Sequence, residues 1–300
     1  MRLSIITINY NGSENTIKLL KSLGNQTLRQ GSGQADHDFE IIVIDNASEE
    51  TDFSNLQLTI DTMQNNIVPM VIRNSDNLEF SGGNNVGIKE ALKRGSEWVL
   101  LLNNDTWVEK DFIVSLKQHL EGSGGVVGLS VNEGADKIAY CGKIQWFCSN
   151  LNHVYDMLNT ECLTYAIGGA VAIHKDVFDK IGFWDEKYFL YFEDADFSLR
   201  ARRINIPINF IKESKVNHQA SSSTKKLGSP LLLRYNYRNS LYFNWKNGPW
   251  YIKMTVWFWS FWIIKKQLLK LMFQYKPDES IEILRGVMDF YKRRMGKINL

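Results

Sequence analysis

Short apolar runs alternate with amphipathic stretches along the first hundred residues. The apolar runs are rich in β-branched side chains, as in strands that are buried on both faces: LSIITI (3–8), FEIIVID (39–45), IVPMVIR (67–73) and EWVLLLN (97–103). The stretches 14–23 and 84–94 between them have a helical pattern. Strands and helices that alternate in this way predict right-handed crossover units, and hence an α/β fold with a mostly parallel, Rossmann-like sheet flanked by helices.

The pattern changes in the rest of the chain. Residues 125–173 have the pattern of short strands separated by glycines, 175–182 and 193–204 that of helices, and 208–216 that of another strand. The composition shifts near residue 225, which is the one domain boundary that the sequence indicates.

Charge is unevenly distributed along the chain. The net charge is +2, yet residues 1–224 carry 20 Lys+Arg and 29 Asp+Glu, whereas residues 225–300 carry 15 and 4. An apolar share of 44% is ordinary for a chain with a folded core. The basic C-terminal region therefore predicts an anionic partner, and a phospholipid surface and nucleic acid are the two general candidates.

The cysteines and the N-terminal segment indicate which cellular compartment the protein occupies. Cys141, Cys148 and Cys162 lack C-x-x-C spacing, which argues against a zinc site or a disulfide framework and favours buried, inert thiols in a reducing compartment. The first apolar run is short and leads into polar turn formers, so we expect a strand and not a signal peptide. The loop 29–38 is rich in Gly, Ser and Asp, and we assign it no chemistry.

Polar side chains follow each of the four N-terminal strands. They occur in TINYNG (7–12), DNAS (45–48), RNSDNLEFSGGNN (73–85) and NNDT (103–106). Ligands of open α/β sheets bind beyond the carboxyl ends of the strands. We therefore expect the functional site at this edge of the sheet.

Asp45 closes the second predicted strand. An acidic residue at this position can accept hydrogen bonds from a ribose or from the imide N–H of a pyrimidine. It can equally cap the helix that follows, because Asp, Asn and Ser are all good N-caps. Thr7, Asn9 and Tyr10 at the neighbouring strand end favour the nucleotide interpretation, and both stay open.

The segment FSGGNNVG (80–87) places paired glycines before a predicted helix. Backbone N–H groups of Gly82 and Gly83 could then approach a phosphate closely at the helix N-terminus. The alternative is that these residues and Gly87 serve a turn or close packing, with Asn84 and Asn85 as caps or ligands.

Asp105 lies two residues after Asn103 at the end of the fourth strand. This N-x-D spacing lets both side chains face one point, as hard oxygen ligands of magnesium or manganese must. One carboxylate binds such a cation weakly, so a diphosphate would have to supply further oxygens. His218 follows the predicted strand 208–216 and could offer an imidazole to a metal or a phosphate, although a lone histidine is also common as a surface residue.

Two adjacent acids, Glu193 and Asp194, fall at the start of the helix predicted over 193–204. An aromatic wall precedes them, formed by Tyr188, Phe189, Tyr191 and Phe192. Such a wall could raise a carboxyl pKa toward that of a working general base. The alternative is an acidic first turn that complements the helix dipole. Asp196 and Arg200 have i,i+4 spacing and predict a structural ion pair.

Taken in this order, the motifs resemble those of inverting family 2 glycosyltransferases with the GT-A fold, particularly bacterial members similar to rhamnosyltransferases of surface polysaccharide synthesis. The resemblance covers residues 1 to about 245. It implies that the nucleotide sugar is bound by Thr7, Asn9, Tyr10, Asp45, Asn46, Asn77, Phe80, Gly82, Gly83, Asn84 and Asn104.

The resemblance also implies the remaining features of an active site. Asp105 would hold a divalent cation, Mg or Mn, with Asn103 and His218 as further ligands. Asn103 stands where the family's D-x-D element has its first acid, which is a departure from the family's pattern. Gly168 and Gly169 match the acceptor side, and Glu193 and Asp194 match the family's E-D motif, with Asp194 as the base. A single base without a second carboxylate nucleophile implies direct displacement and therefore inversion.

From the resemblance we expect a catalytic domain over 1–225, in which residues 1–105 bind the nucleotide sugar and residues 106–225 carry the acceptor and catalytic groups. Residues 226–300 then form a basic, aromatic-rich helical region. The donor would be a nucleoside-diphosphate sugar, with dTDP-rhamnose as one candidate, and the acceptor a glycan or a lipid-linked precursor.

The segment 250–273 (WYIKMTVWFWSFWIIKKQLLKLMF) has a short apolar core, Met254 to Ile264, whereas a spanning helix needs about 20 apolar residues. Its mixture of Trp, Phe and Lys is typical of an interfacial helix on an anionic membrane, and it is too apolar for a nucleic-acid surface. We therefore expect a cytoplasmic enzyme at the inner face of the cell membrane. A helical cap over the catalytic domain or a subunit interface are alternatives.

Other function classes compete with this prediction. A dinucleotide-dependent oxidoreductase is disfavoured because no G-x-G-x-x-G follows the first strand. A nucleotidyltransferase, or a non-catalytic nucleotide- or membrane-binding module on a degenerate GT-A fold, stays open.

Overall fold

A computed structural model of the chain describes residues 1–26, 39–63, 67–134, 137–147, 150–156, 164–218 and 229–298. The loop 29–38, Cys148, Cys162 and the boundary near residue 225 lie outside these ranges. Cys141, which lies inside them, is a free and buried thiol, as predicted.

The N-terminal region alternates strands and helices. Its elements are β1 (Leu3–Asn9), α1 (Ser13–Gly24), β2 (Phe39–Asp45), α2 (Glu50–Thr62), β3 (Met70–Arg73), α3 (Glu79–Lys93) and β4 (Trp98–Leu102). The following region is richer in short strands: β5 (Thr106–Val108), α4 (Phe112–Leu120), β6 (Val126–Asn132), β7 (Ile138–Ala139), β8 (Cys141–Gln145), β9 (Asn150–Val154), β10 (Thr164–Tyr165), β11 (Ala170–His174), α5 (Lys175–Ile181), α6 (Glu193–Arg203) and β12 (Ile208–His218). Three helices end the chain: α7 (Ser229–Asn247), α8 (Trp250–Met272) and α9 (Pro277–Tyr291).

Most strands belong to one sheet, with the order β3-β2-β1-β4-β11-β6-β12-β5. The first four of these strands are parallel, and β11 is antiparallel to both of its neighbours. In the register of the parallel strands, Asn9 lies opposite Asp45, and Asp45 lies opposite Arg73. The polar strand ends therefore meet at one edge of the sheet, as predicted.

Both faces of the sheet are covered, which explains why its strands are apolar without alternation. Leu3 and Ile5 of β1 point into one core layer with Leu19 and Leu23 of α1, whereas Ile6 points into the other layer with Ile88 of α3. A second, smaller sheet has the strand order β10-β8-β9.

Helix α3 begins at Glu79, five residues before the predicted start at 84. The glycines of FSGGNNVG therefore lie inside the helix and not in a turn before it, which corrects that prediction. The physical reason is close packing: a Cβ on Gly87 would lie 2.6 Å from Cγ2 of Ile6, and one on Gly83 would lie 2.8 Å from Nδ2 of Asn46. Their lack of a side chain lets α3 approach the sheet.

The C-terminal helices form their own apolar contacts. Leu241 of α7, Val256 and Ile263 of α8, and Ile283 and Val287 of α9 make one buried cluster. No helix in the described ranges is long and apolar enough to cross a membrane. Most of the α8 surface remains exposed, and its buried residues form a narrow stripe: Ile252, Val256, Ser260, Ile263 and Gln267.

Candidate active site

A cleft of about 1120 Å³ opens at the carboxyl ends of β1, β2 and β4. Loops after these strands and the first turns of α1, α2 and α3 form its walls. Seven predicted site residues line it: Tyr10, Asn46, Phe80, Asn84, Asn103, Asn104 and Asp105.

Asn9 and Asp45 lie beneath the cleft and are fully buried. Nδ2 of Asn9 donates to Oδ1 of Asp45 at 2.9 Å, and the backbone N–H of Ser48 donates to Oδ2 at 3.2 Å. Nε of Arg73 lies 3.4 Å from the same carboxylate. In this arrangement Asp45 fixes the turn after β2 and does not cap α2, whose N-cap residue is Glu49. Thr7 is also buried, and its hydroxyl has no hydrogen-bond partner among the described residues.

Asn46 and Asn77 connect the strand ends to α3. Asn46 donates to the backbone oxygen of Glu79 at 3.0 Å and accepts from Nδ2 of Asn74 at 2.7 Å. Oδ1 of Asn77 accepts from the N–H of Glu79 at 2.8 Å, which stabilises the start of α3. Asn77 and the packing glycines Gly82 and Gly83 therefore act behind the cleft wall in this structure.

The β4–β5 turn carries Asn103, Asn104 and Asp105 to the cleft. Nδ2 of Asn104 donates to Oγ1 of Thr16 at 3.1 Å, which ties the turn to α1. Asn103 packs against Gly169, where a Cβ would lie 2.6 Å from the Asn103 amide nitrogen. The side chains of Asn103 and Asp105 thus have different neighbours.

Asp105 faces His218, because β12 pairs with β5 and brings His218 opposite Thr106. Oδ1 of Asp105 is buried, makes no hydrogen bond with the described residues, and lies 3.4 Å from Nε2 of His218. The Asp105 carboxylate raises the pKa of His218. A carboxylate oxygen without a partner beside an imidazole nitrogen fits a divalent cation. The described residues contain no group of three or more His, Cys, Asp or Glu side chains that is placed to hold a metal ion.

Glu193 and Asp194 begin α6, as predicted. Oδ2 of Asp194 accepts from the N–H of Gly168 at 3.2 Å, and Oδ1 accepts from the N–H of Ala195 at 2.8 Å. A Cβ on Gly168 would lie 3.0 Å from the Phe80 ring and 3.1 Å from Cβ of Asp194. Asp194 therefore adjoins the cleft where Phe80 lines it.

The two carboxyl groups have different electrostatic surroundings. Burial raises the pKa of Glu193 far above its usual range, and the neighbouring Asp194 charge adds to this effect. Burial also raises the pKa of Asp194, but hydrogen bonds from Gly168 and Ala195 and the charge of His153 oppose it. Asp194 consequently ionises before Glu193. The predicted ion pair between Asp196 and Arg200 is present at 2.8 Å.

Several lining residues were not predicted. Lys18 on α1 is exposed and is the one cation among the described residues of the cleft wall. Its signal in the sequence was the polar face of α1, opposite buried Leu19 and Leu23. Leu190 reaches the cleft from the loop before α6. Two further residues complete the polar network beneath the cleft. Arg73 lies beside Asp45, and a carboxylate oxygen of Asp52 accepts a hydrogen bond from Nδ2 of Asn9.

Comparisons with known proteins identify related sequences. Residues 4–182 match the family described as glycosyl transferase family 2, and residues 98–277 match glycosyl transferase family group 2. The low-salt glycan biosynthesis hexosyltransferase Agl10 of Haloferax volcanii is 27% identical over 247 residues, which are 79% of this chain and 73% of that protein. The dTDP-rhamnosyl transferase RfbF of Shigella flexneri is 23% identical over 166 residues, which are 52% of this chain and 56% of that protein.

Solved structures share the fold. The mannosyltransferase PcManGT of Pyrobaculum calidifontis, in complex with GDP-Man and Mn²⁺, aligns with a TM-score of 0.58 at 10% identity and covers 98% of this chain and 88% of its own. TarS 1–349 of S. aureus, in complex with UDP-GlcNAc, aligns with a TM-score of 0.56 at 15% identity over 98% and 92%. The chain spans only 40% of a longer form of TarS. The fold is therefore the GT-A fold, with helices added at its C-terminus.

Proposed function

The chain belongs to glycosyltransferase family 2 and is a glycosyltransferase of glycan biosynthesis. From this membership we propose that it transfers a sugar from a nucleoside-diphosphate sugar to a glycan or lipid-linked acceptor, with inversion at the anomeric carbon. The observation that supports the proposal is that Asp105 lines the cleft and that Asp194 lies close to Phe80, which also lines it. Oδ1 of Asp105 lies 3.4 Å from Nε2 of His218, and Phe80 and Asp194 both approach Gly168.

The donor occupies this cleft. Five predicted nucleotide-sugar residues line it, and Lys18 adds a positive charge on the α1 side; the five are Tyr10, Asn46, Phe80, Asn84 and Asn104. The charge of Lys18 suits a diphosphate. Because one relative is named a dTDP-rhamnosyl transferase, dTDP-rhamnose is the first donor that we propose, with a role in cell-surface polysaccharide synthesis.

Asp194 is the proposed general base. Its carboxylate takes the proton of an acceptor hydroxyl, which attacks the anomeric carbon while the bond to the nucleoside diphosphate breaks. The N–H groups of Gly168 and Ala195 orient the carboxylate, and burial raises the pKa of Glu193 beside it. No second nucleophile is assigned at the opposite face of the sugar, so the displacement occurs in one step and inverts the anomeric centre.

A divalent cation would be held by Asp105 and His218 together with the diphosphate oxygens. Mn²⁺ accompanies GDP-Man in the PcManGT complex, which has the same fold. The chemistry that a bound Mg or Mn ion supplies is positive charge next to the leaving diphosphate. Asn103 is the weakest of the three predicted ligands, because its amide packs against Gly169.

The proposal is tested by incubating the protein with a panel of nucleotide sugars and Mn²⁺ or Mg²⁺ and measuring release of nucleoside diphosphate. Asp194→Asn should reduce kcat by about 100-fold or more, within the range that a positioned general base contributes. Asp179→Asn, an exposed acid on α5, is the matched control and should retain full activity. Full activity of Asp194→Asn would exclude Asp194 as the base.

The products distinguish the competing functions. Release of pyrophosphate would indicate a nucleotidyltransferase. Nucleotide binding without any turnover, across all sugars and both metals, would indicate a non-catalytic module on the GT-A fold.

We also propose that the enzyme works at the cytoplasmic face of the cell membrane. Helix α8 exposes an apolar and aromatic surface, composed of Trp250, Tyr251, Met254, Trp257, Phe258, Phe261, Trp262, Leu268, Leu269 and Met272. Exposed lysines interrupt it, among them Lys253, Lys265 and Lys266. Aromatic side chains mixed with lysines fit the headgroup layer of an anionic bilayer, where a lipid-linked acceptor would also reside.

A further inference from the structure

Three of the five residues before the proposed catalytic pair have an unusual, left-handed backbone conformation. Phe189, Tyr191 and Phe192 have φ angles of 64°, 70° and 75°, a region that residues other than glycine rarely occupy. The N–H of Leu190 donates to the oxygen of Tyr188 at 2.8 Å and closes a tight turn around Phe189. We call residues 188–192 the left-handed loop. Glu193 follows the loop directly, and Leu190 within the loop lines the cleft.

One face of α7 covers the left-handed loop with aromatic rings. Tyr242 and Phe243 follow Tyr235 by seven and eight residues, which is about two helical turns, so the three rings lie on the same side of the helix. Tyr235 stacks on Phe189 with 5.1 Å between ring centroids, Tyr242 packs on Tyr188 at 5.0 Å, and Phe243 packs on Phe192 at 5.4 Å. Three of the five loop side chains are therefore held by this helix.

Asn239, on the same face of α7, holds the backbone of the loop. Its Nδ2 donates to the carbonyl oxygens of Tyr188 at 2.7 Å and Leu190 at 2.6 Å. Tyr188 and Leu190 are the residues on either side of Phe189, and because both carbonyl oxygens are hydrogen-bond acceptors, each needs a donor. The Asn239 side chain thus binds the two ends of the tight turn at once, which favours the left-handed conformation over an extended one.

Arg238 fixes the orientation of the Asn239 amide. Its Nε donates to Oδ1 of Asn239 at 2.9 Å, and its Nη2 donates to the oxygen of Tyr188 at 3.1 Å. The remaining Nη1 donates to the oxygen of Gly296 at 2.8 Å. Arg238 is fully buried, and a buried guanidinium is stable only when its donors are satisfied.

We propose that Asn239, oriented by Arg238, is a positioning residue for Asp194: it holds the left-handed loop in the conformation that sets Leu190 in the cleft and Asp194 against Gly168. The C-terminal helix α7 is in this sense a component of the catalytic apparatus. The expected effect on catalysis rests on the proposed role of Asp194. The expected effect on the conformation of the loop does not depend on that role.

The test compares two isosteric changes on the same helix. Asn239→Leu removes the donors to the loop and keeps the number and branching of the side-chain heavy atoms. Asn244→Leu is the matched control, since Asn244 is also buried but donates to the oxygen of Trp146. Hydrogen exchange of the peptide amides 188–196 reports the loop directly and needs no substrate. It should accelerate at least tenfold in Asn239→Leu and not in Asn244→Leu.

Kinetics add a second readout. Asn239→Leu should lower kcat at least tenfold while the donor KM stays within twofold and the stoichiometry of nucleotide binding stays at the wild-type value. A loss of folded protein would instead lower the stoichiometry. If Asn239→Leu does not fold, Tyr235→Leu, with Tyr235→Phe as its control, loosens the same loop through the Phe189 stack.

The outcomes separate this proposal from the proposed function. Unchanged exchange over 188–196 in Asn239→Leu would overturn the positioning role, whatever the activity. Accelerated exchange together with a wild-type kcat would show that the loop conformation does not affect catalysis. The proposed glycosyl transfer would not be contradicted by that result. A wild-type protein that releases no nucleoside diphosphate refutes the proposed function, whereas the exchange experiment still decides the loop.

Discussion

Glu193 and Asp194 are adjacent in the chain, yet their surroundings raise the pKa of the two carboxyl groups to different extents. Glu193 is 7% exposed, and its Oε2 has no partner among the described residues. Asp194 accepts two backbone N–H groups and is half-buried. Hydrogen bonds to the ionised form favour ionisation, whereas burial opposes it. The pKa of Glu193 is therefore raised further than that of Asp194.

This difference predicts the pH dependence of the reaction. Because burial raises the pKa of Asp194, its ionised form is lost as the pH falls through that raised pKa, at a pH above the usual value of about 3.9 for an aspartate. A plot of kcat against pH should show an acid limb for one proton in this range. Circular dichroism at the same pH values checks that the protein is still folded.

Glu193→Gln is the companion variant, because a glutamine resembles a protonated glutamate. It should retain most of the activity and the same acid limb. A large loss of kcat in Glu193→Gln would show that the second carboxyl takes part in proton transfer.

The polar strand ends illustrate what the sequence reveals about a site. Their position at one edge of the sheet follows from the apolar runs and the parallel topology. Which side chain faces the cleft does not, because Asn9 lies opposite Asp45 in the strand register and the two bond to each other. His218 likewise reaches Asp105 only through pairing of β12 with β5, a contact between segments far apart in the chain. Such cross-strand pairings are not encoded in local patterns.

The proposed metal site predicts a donor-dependent affinity. Asp105 and His218 would supply two ligands, fewer than Mg²⁺ or Mn²⁺ requires. Mn²⁺ should therefore bind weakly to the protein alone and at least tenfold more tightly once a nucleoside diphosphate is present, as measured by calorimetry. Asp105→Asn should abolish the difference. Tight binding of Mn²⁺ without nucleotide would contradict the proposed ligand set.

Helix α3 shows how an element is fixed by packing. The pattern of apolar residues predicted a helix over 84–94, but the helix begins at Glu79 and contains three glycines in its first turns. Glycine is a poor helix former, so local propensity placed the start too late. Contact with the sheet compensates, since only glycine lets the helix approach Ile6 and Asn46 so closely. The mostly polar α2, with two buried residues, was missed because its apolar stripe is thin.

Packing of α3 predicts the effect of Gly87→Val on stability. A Cβ there would lie 2.6 Å from Cγ2 of Ile6 and 3.3 Å from Cγ1 of Ile44, both in the buried sheet. Overpacking should lower the free energy of unfolding by about 1–3 kcal/mol, measured by urea denaturation. Gly124→Val is the control, because a Cβ at Gly124 meets nothing within 4 Å. Equal stability of the two variants would disprove the packing role of Gly87.

Charge and apolar surface are segregated in the whole molecule. The acidic region contains the cleft and the basic region contains α8, whose exposed aromatic residues lie among lysines. Sequence composition predicted this segregation and the helical character of the C-terminal region. It did not predict that α7 contacts the left-handed loop, because the contacting residues are polar and aromatic and give the helix no clear apolar face.

Segregation of charge predicts selective binding to anionic vesicles. The protein should sediment with phosphatidylglycerol vesicles, and binding should weaken with added salt and be poor with phosphatidylcholine alone. The triple variant Trp257→Ser, Phe258→Ser, Phe261→Ser should bind at least tenfold more weakly, since these side chains are 62–66% exposed on α8. Leu58→Ser, at an equally exposed site on α2, is the control. Unchanged binding of the triple variant would exclude α8 as the membrane surface.

The contact between α7 and the left-handed loop limits how such enzymes can be recombined. A chimera that joins the first 225 residues of this chain to the C-terminal helices of a relative would exchange the partner of Tyr188 and Leu190. The two halves would then be foreign to each other at the point where Asn239 and Arg238 bind the loop. The contact is therefore kept only when the left-handed loop and α7 are transferred together, so a functional chimera needs its junction before residue 188 or after the C-terminal helices.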